Sequence, residues 1–470
     1  EGIRLPHEFG HLNRHATTGV GPRHPLGPTG DFLPWQTLLH GTARYRRIGA
    51  PVTLGPKRRR AHDKLAALPG VRSVRRPVTA TAEDCFDLFY VRTGRARSHP
   101  LVIIPGGPGV ASIRHYRGLR RRAAAAGLDV IMVEHRGVGM SRHDDAGADL
   151  PPAALSVEQV VDDIAAVLDD ADVANAVIYG TSYGSYLAAG LGVRHPRRVQ
   201  AMILDSPLLN HDDFDLVRQA LRDVLWDGRD PQTTEVAAKV RRLAERGAMT
   251  PTDAHIAAAI YSLGGTRLLN RQLDLLLDDR RLFFSAMVRF GSGVADRKVP
   301  YRNETDLVGP IGYRELNFGG IPDGLPLDPA LALRASAVGE LPSFEAEPFD
   351  LVAAMPEFTW PTAIISGGRD LTTPPSVAER IAELVPAAAL VGLPTAGHSV
   401  LDTRETAALR IAAAVCAGAA ADLAGRGVAL DEVPARPAMR AVAAAVEAAV
   451  RIEAVLPRFA QPRSARRSTS

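Results

Sequence analysis

Only two cysteines occur in 470 residues, Cys85 and Cys416, and they stand far apart without CxxC or metal-type spacing. A disulfide framework is therefore not expected, and both thiols read as buried apolar filler. Long hydrophobic runs are also missing. The nearest candidate, Ile411–Ala421, is eleven residues against the ~18 a membrane span requires and is bounded by Arg410 and Asp422. No membrane segment is expected, nor does the chain open with a basic–apolar–small leader pattern, so the default expectation is a cytoplasmic protein. Nor is there an excess of charge of one sign, since the net charge is only +4. Residues 1–70 carry eleven Lys or Arg against four acids, which leaves the rest slightly acidic and argues against a nucleic-acid-binding protein.

What is present is an ordinary globular composition, 46% apolar and 23% charged, in a chain longer than one average domain. Residues 1–70, rich in His, Arg, Pro and Gly, read as a poorly ordered basic extension. His7, His11 and His15 recur at four-residue steps, but Gly10 interrupts them and no acids support them, so no metal site is expected. The run Lys57-Arg58-Arg59-Arg60 reads as solvated surface.

From residue 71 the pattern becomes short apolar runs separated by helical stretches. Arg72–Val78 and Phe86–Arg92 suggest a hairpin. Leu101–Ile104, Val130–Val133, Ala176–Tyr179 and Ala201–Leu204 are continuous Val/Ile-rich runs of the kind found in parallel strands covered on both faces. Ser156 is placed to cap a helix over Val157–Asp170. Two more strands, Thr362–Ser366 and Ala388–Leu393, come much later. Between Pro207 and about Pro356 the strand rhythm stops: Phe214–Phe290 reads as successive amphipathic helices, and 291–350 as loop-like. The expected architecture is a mostly parallel central sheet flanked by helices. Its core comprises 71–207 and 357–456, with a largely helical cap inserted at 208–356 and a disordered basic tail at 457–470.

The strongest chemical signal is Gly180-Thr181-Ser182-Tyr183-Gly184, between a strand and a helix. This spacing puts a serine on a strained strand-to-helix turn with its hydroxyl exposed. A serine hydroxyl is a poor nucleophile without a base. His398 follows the last strand and Asp370 the strand before it, so the chain supplies Ser182, acid and base in the order such sites use. Asp370 is expected to fix the His398 tautomer through Nδ1, leaving Nε2 to take the Ser182 proton. Asp205 is the competing acid, read here as a turn residue ending its strand. The loop Pro105-Gly106-Gly107-Pro108-Gly109 follows the first central strand. Since proline has no N–H, Gly107 is the expected oxyanion donor there, with the Tyr183 amide as the second.

Gly106–Gly109, Arg136-Gly137-Val138-Gly139-Met140-Ser141, Gly180–Gly184 and the Asp370 and His398 loops together resemble the proline iminopeptidase and tripeptidyl aminopeptidase branch of the α/β-hydrolases, over roughly 71–420. The resemblance implies a cofactor-free, metal-free serine aminopeptidase that releases N-terminal residues from short peptides through an acyl-enzyme. It implies cap carboxylates that pair with the substrate's free amine, and Glu315 in Pro310–Glu315 matches one of them. Glu304 and Glu340 are weaker matches that read as solvated. Pro105, Glu134 and Tyr313 depart from residues common in that branch. A carboxylesterase or lactone hydrolase with the same triad is the alternative, and a non-catalytic binding protein of the same fold a third. The expected partner is a small peptide or ester, and the sequence leaves the oligomeric state open.

Overall fold

The computed structural model describes residues 55–295, 300–336 and 341–457. Its centre is one eight-stranded sheet in the order β1-β2-β4-β3-β5-β6-β7-β8. β1 (Val71–Pro77) and β2 (Cys85–Thr93) form the antiparallel edge. β3 (Leu101–Ile104), β4 (Val130–Val133), β5 (Ala176–Thr181), β6 (Val199–Asp205), β7 (Thr362–Gly367) and β8 (Ala388–Leu393) run parallel. The strands lie where the apolar runs predict them. Alternate residues feed opposite faces: Val102, Ile131 and Ile178 join one hydrophobic cluster, and Leu101, Val130 and Val177 the other. Both faces are therefore dry, which is why these strands read as unbroken apolar runs.

On one face pack α2 (Val157–Asp170) and α3 (Tyr183–Arg194). The predicted cap of α2 is present, with Ser156 Oγ accepting the Gln159 amide. Helices Arg117–Ala125 and Glu405–Cys416 cover the other face.

The insertion after β6 is largely helical, as expected. It contributes α4 (Asp213–Arg222), a helix at Thr234–Glu245 and α5 (Pro251–Leu277), which is broken at Gly265. These share a core of their own, with Leu221, Val240, Ile260 and Leu273 among its members.

Four expectations need correction. Residues 56–66 are not an unstructured extension but a helix, α1 (Pro56–Ala66), because Ala61 and Leu65 pack against the sheet-side cluster. Residues 1–54, with His7, His11 and His15, lie outside the described residues. The stretch 291–350 is not all loop, since Thr305–Val308, Pro310–Leu316 and Pro329–Ser336 are helical. The C-terminal helix α6 (Pro437–Val455) belongs with the cap rather than the core. Its Val446 and Val450 enter the cap cluster, and Glu453 accepts the amides of Leu282 and Phe283. Finally, Cys85 and Cys416 are free but only half-buried. Residues 458–470 fall outside the described residues. No described helix is long and apolar enough to cross a membrane.

Candidate active site

β5 ends one residue before Ser182, and α3 begins one residue after it. Ser182 takes φ 52° and ψ −126°, a conformation that side chains rarely adopt. The turn is held by the Ser182 amide, which donates to Asp205 O at 2.9 Å. Its tightness explains the motif's small residues. A Cβ on Gly180 would stand 2.2 Å from Gly184 O, and one on Gly184 would stand 2.3 Å from Ile104 O. Ser182 is thus pressed against the Pro105–Gly109 loop, with Gly106 close to its Cβ and Oγ.

The structure brings the other two expected residues to this serine. His398 Nε2 lies 3.0 Å from Ser182 Oγ, and His398 Nδ1 lies 2.8 Å from Asp370 Oδ2. Asp370 is anchored in turn: the Thr372 and Thr373 amides donate to Oδ1, and the Thr373 hydroxyl donates to Oδ2. Burial by itself would push the Asp370 carboxyl up. His398 and the two threonine amides outweigh it and hold the group below its ordinary value. Burial likewise opposes charge on His398, but Asp370, helped by Asp205 and Asp402, raises its pKa above the ordinary value. Such an arrangement can move a proton from a hydroxyl to an imidazole and stabilise the cation that forms.

Ser182 and His398 open into a cavity of about 200 Å³ beneath the cap, whose wall includes Gly107 and Pro108. The Tyr183 amide, at the first position of α3, has no partner one turn earlier and so remains available to a ligand. Most of the lining is apolar, from Phe214, Val217, Leu221, Leu316, Phe318 and Leu333.

Two acids interrupt it, Asp213 and Glu347. Asp213 Oδ2 accepts the Leu209 and Asn210 amides, and Glu347 Oε2 meets His211 Nδ1 at 3.0 Å. The other oxygen of each, Asp213 Oδ1 and Glu347 Oε1, is enclosed without a hydrogen-bond partner. Burial pushes the Asp213 carboxyl up to about 7, against the two amides that favour its charge.

Glu315, the expected substrate-binding acid, is not among the residues that line this cavity. Its Oε2 accepts the Val157 amide at 2.8 Å, and its Oε1 is 3.0 Å from Arg314. The carboxylate serves the N-terminus of α2, where orphan amides and the helix dipole favour a negative charge. Glu340 lies outside the described residues.

The structure places three further acids, two of them, Glu304 and Asp205, differently from the sequence reading. Glu304 is not solvated: it is buried, binds Arg58 and accepts the Gly139 amide. Glu134 is fully buried and accepts the Ser112, Ile113 and Met140 amides. Asp205 is no simple turn residue, since it accepts the Val400 and Leu401 amides and the Tyr179 hydroxyl. The available signal was an acid closing an otherwise apolar strand. Asp213 and Glu347 carried no signal, being two among many cap acids. Among the described residues, no group of three or more His, Cys, Asp or Glu is arranged to hold a metal.

A family model described as alpha/beta hydrolase fold matches residues 99–405. Among solved structures, the chain is similar to a thermophilic esterase from Thermogutta terrifontis at 17% identity, covering 74% of this chain and 99% of that one, with TM-score 0.42. It is similar to a proline iminopeptidase from Mycobacterium smegmatis at 16% identity, 75% and 99% coverage and TM-score 0.44. It is also similar to an N-acyl homoserine lactone degrading enzyme at 18% identity, 70% and 96% coverage and TM-score 0.40. Likenesses this distant do not bear on the substrate.

Proposed function

The chain belongs to the α/β-hydrolase fold family, and from that premise we propose that it is a serine aminopeptidase acting on short peptides with a free N-terminus. Ser182 Oγ attacks the scissile carbonyl while His398 Nε2 takes its proton, and Asp370 steadies the imidazolium through Nδ1. The amides of Gly107 and Tyr183 receive the oxyanion. As the tetrahedral intermediate collapses, His398 returns the proton to the leaving amine. Water then enters, loses a proton to His398 and attacks the acyl carbonyl, and Ser182 leaves with that proton.

The observation that carries the peptidase reading is the pair of acids in the cavity wall, each with one enclosed oxygen lacking a partner. Buried unpaired carboxylate oxygens are costly, and a cationic amine is the kind of group that would pair with them. A substrate without that amine leaves them unpaired, which is the physical basis of an exopeptidase preference. The mainly apolar lining favours a second reading, a carboxylesterase using the same triad.

Aminoacyl-p-nitroanilides assayed beside N-acetylated counterparts and short acyl esters separate the two. Hydrolysis of free-amine substrates, lost on acetylation, is the expected result. Turnover of esters with none of any free-amine peptide substrate rules the peptidase out.

A further inference from the structure

The first helix among the described residues, α1, starts Pro56-Lys57-Arg58-Arg59-Arg60 and has no acid in its first turn. Cations at a helix N-terminus oppose the helix dipole, so this start is locally unfavourable. A local conflict of this kind calls for a tertiary interaction that outweighs it. Lys57, Arg59 and Arg60 are exposed, whereas Arg58 turns inward with a side chain 12% exposed, against the 2% of its partner Glu304.

The Arg58 guanidinium forks onto both Glu304 oxygens, at 2.6 and 3.0 Å, and its Nη2 also donates to Gly139 O at 3.0 Å. Tyr301 stacks beneath it, with 4.8 Å between the guanidinium carbon and the ring centroid, and its hydroxyl donates to Arg58 O. Glu304 joins the two loops that meet here. Its side chain accepts the Gly139 amide at 2.6 Å, and its own amide donates to Gly109 O at 2.9 Å.

The same segment holds the loop beyond Gly107 at further points. Val110 bridges Asn303, and the Ala111 amide donates to Arg302 O. A Cβ on Gly109 would stand 2.8 Å from the Thr305 Cα, so the two backbones are in direct contact. The backbone following the expected oxyanion donor therefore rests on residues 302–305, and these are fixed by a bidentate ion pair to a helix over 240 residues away in sequence.

We propose that Arg58 is a positioning residue for acyl transfer: through Glu304 it fixes the backbone carrying Gly107, which makes the basic helix α1 part of the catalytic support. The proposal rests on the serine-hydrolase reading. Oxyanion donors act only within narrow limits of distance, and a misplacement of about 1 Å can cost on the order of a hundredfold in rate.

The test is the second-order rate of labelling by a fluorophosphonate, which forms a phosphorus–Ser182 bond, expels fluoride and uses the same oxyanion donors without needing the natural substrate. In full-length protein shown to be folded by circular dichroism, Arg58→Ala is expected to slow labelling about tenfold to a hundredfold. Arg58→Lys, which supplies a charge but no fork, should recover part of the loss. In a Glu304→Gln background, Arg58→Ala should add little further loss, because the arginine acts through that carboxylate. Exposed Arg59→Ala should label at the native rate.

Native labelling with an unchanged Arg58→Ala rate overturns the proposal alone, as does an Arg59→Ala loss equal to that of Arg58→Ala. If Arg58→Ala does not fold, Arg58→Lys and Glu304→Gln decide, and native rates in both overturn it. Absence of labelling in the folded native chain overturns the serine-hydrolase reading, and the proposal with it.

Discussion

Asp205 Oδ2 accepts the Leu401 amide at 2.8 Å, while its Oδ1 accepts the Val400 amide at 3.0 Å. The end of β6 thus holds the backbone directly after His398. One carboxylate, fully buried, ties the loop of the expected base to the strand whose last carbonyl receives the Ser182 amide. Asp205 thus links the two segments, its carbonyl taking the Ser182 amide and its carboxylate the amides that follow His398.

Replacing Asp205 with Ala leaves two buried amides and the Tyr179 hydroxyl without their acceptor, at about 1–3 kcal/mol for each orphaned group. A chemical denaturation series should show a loss of several kcal/mol, and kcat should fall while KM changes little. A variant with native stability and native kcat removes the alignment role.

The expected triad makes its own prediction. Ser182→Ala and His398→Ala should each lower kcat by at least about 10³-fold, and Asp370→Asn by a similar order. The acid limb of the kcat/KM profile should lie above pH 6.5, because His398 must be neutral to act and its pKa is raised. For stability the sign reverses. The Asp370–His398 attraction is complete below the unfolded histidine value and fades as pH rises through the folded one. An acid limb below pH 6.5 contradicts this assignment.

Asp213 should trade stability for binding. Its pKa rises from an ordinary 3.8 to about 7 on folding, so the folded chain holds that proton longer than the unfolded chain. Its ionisation then costs stability progressively from about pH 4 to 7 and fully above, on the order of a few kcal/mol. Asp213→Asn should raise the melting temperature at pH 8 and barely alter it at pH 4, while raising KM for free-amine substrates. An equal change at both pH values contradicts the burial account.

Glu347 and Glu315 should separate cleanly. Glu347→Gln is expected to raise KM for free-amine substrates about tenfold or more and leave acyl esters unaffected. Glu315→Ala should leave both KM values alone and cost about 1 kcal/mol of stability, from the lost amide acceptor at the α2 N-terminus. A rise in amine-substrate KM for Glu315→Ala would restore it to the cavity.

Much of this molecule was legible along the chain because its signals are local. Strands buried on both faces must be apolar throughout, so Leu101–Ile104 and Val130–Val133 announce themselves. A turn as tight as the one at Ser182 admits only glycine at 180 and 184. Since Asp370 and His398 follow consecutive parallel strands, their arrival at one sheet edge follows from chain order. The basic run, by contrast, has the same local pattern whether solvated or docked, and only the folded chain separates Arg58 from its three neighbours.

Sequence alone determined the sheet, the place of the inserted helices and the Ser182–His398–Asp370 constellation, because each depends on periodicity, turn sterics or strand order. Tertiary structure alone decided which carboxylates do what. Glu315 faces a helix end, Glu304 an arginine from α1, Asp205 the loop after His398, and Asp213 and Glu347 the cavity. A carboxylate's role is set by the groups around it. Here those groups come from segments up to 246 residues away, a distance no local pattern encodes.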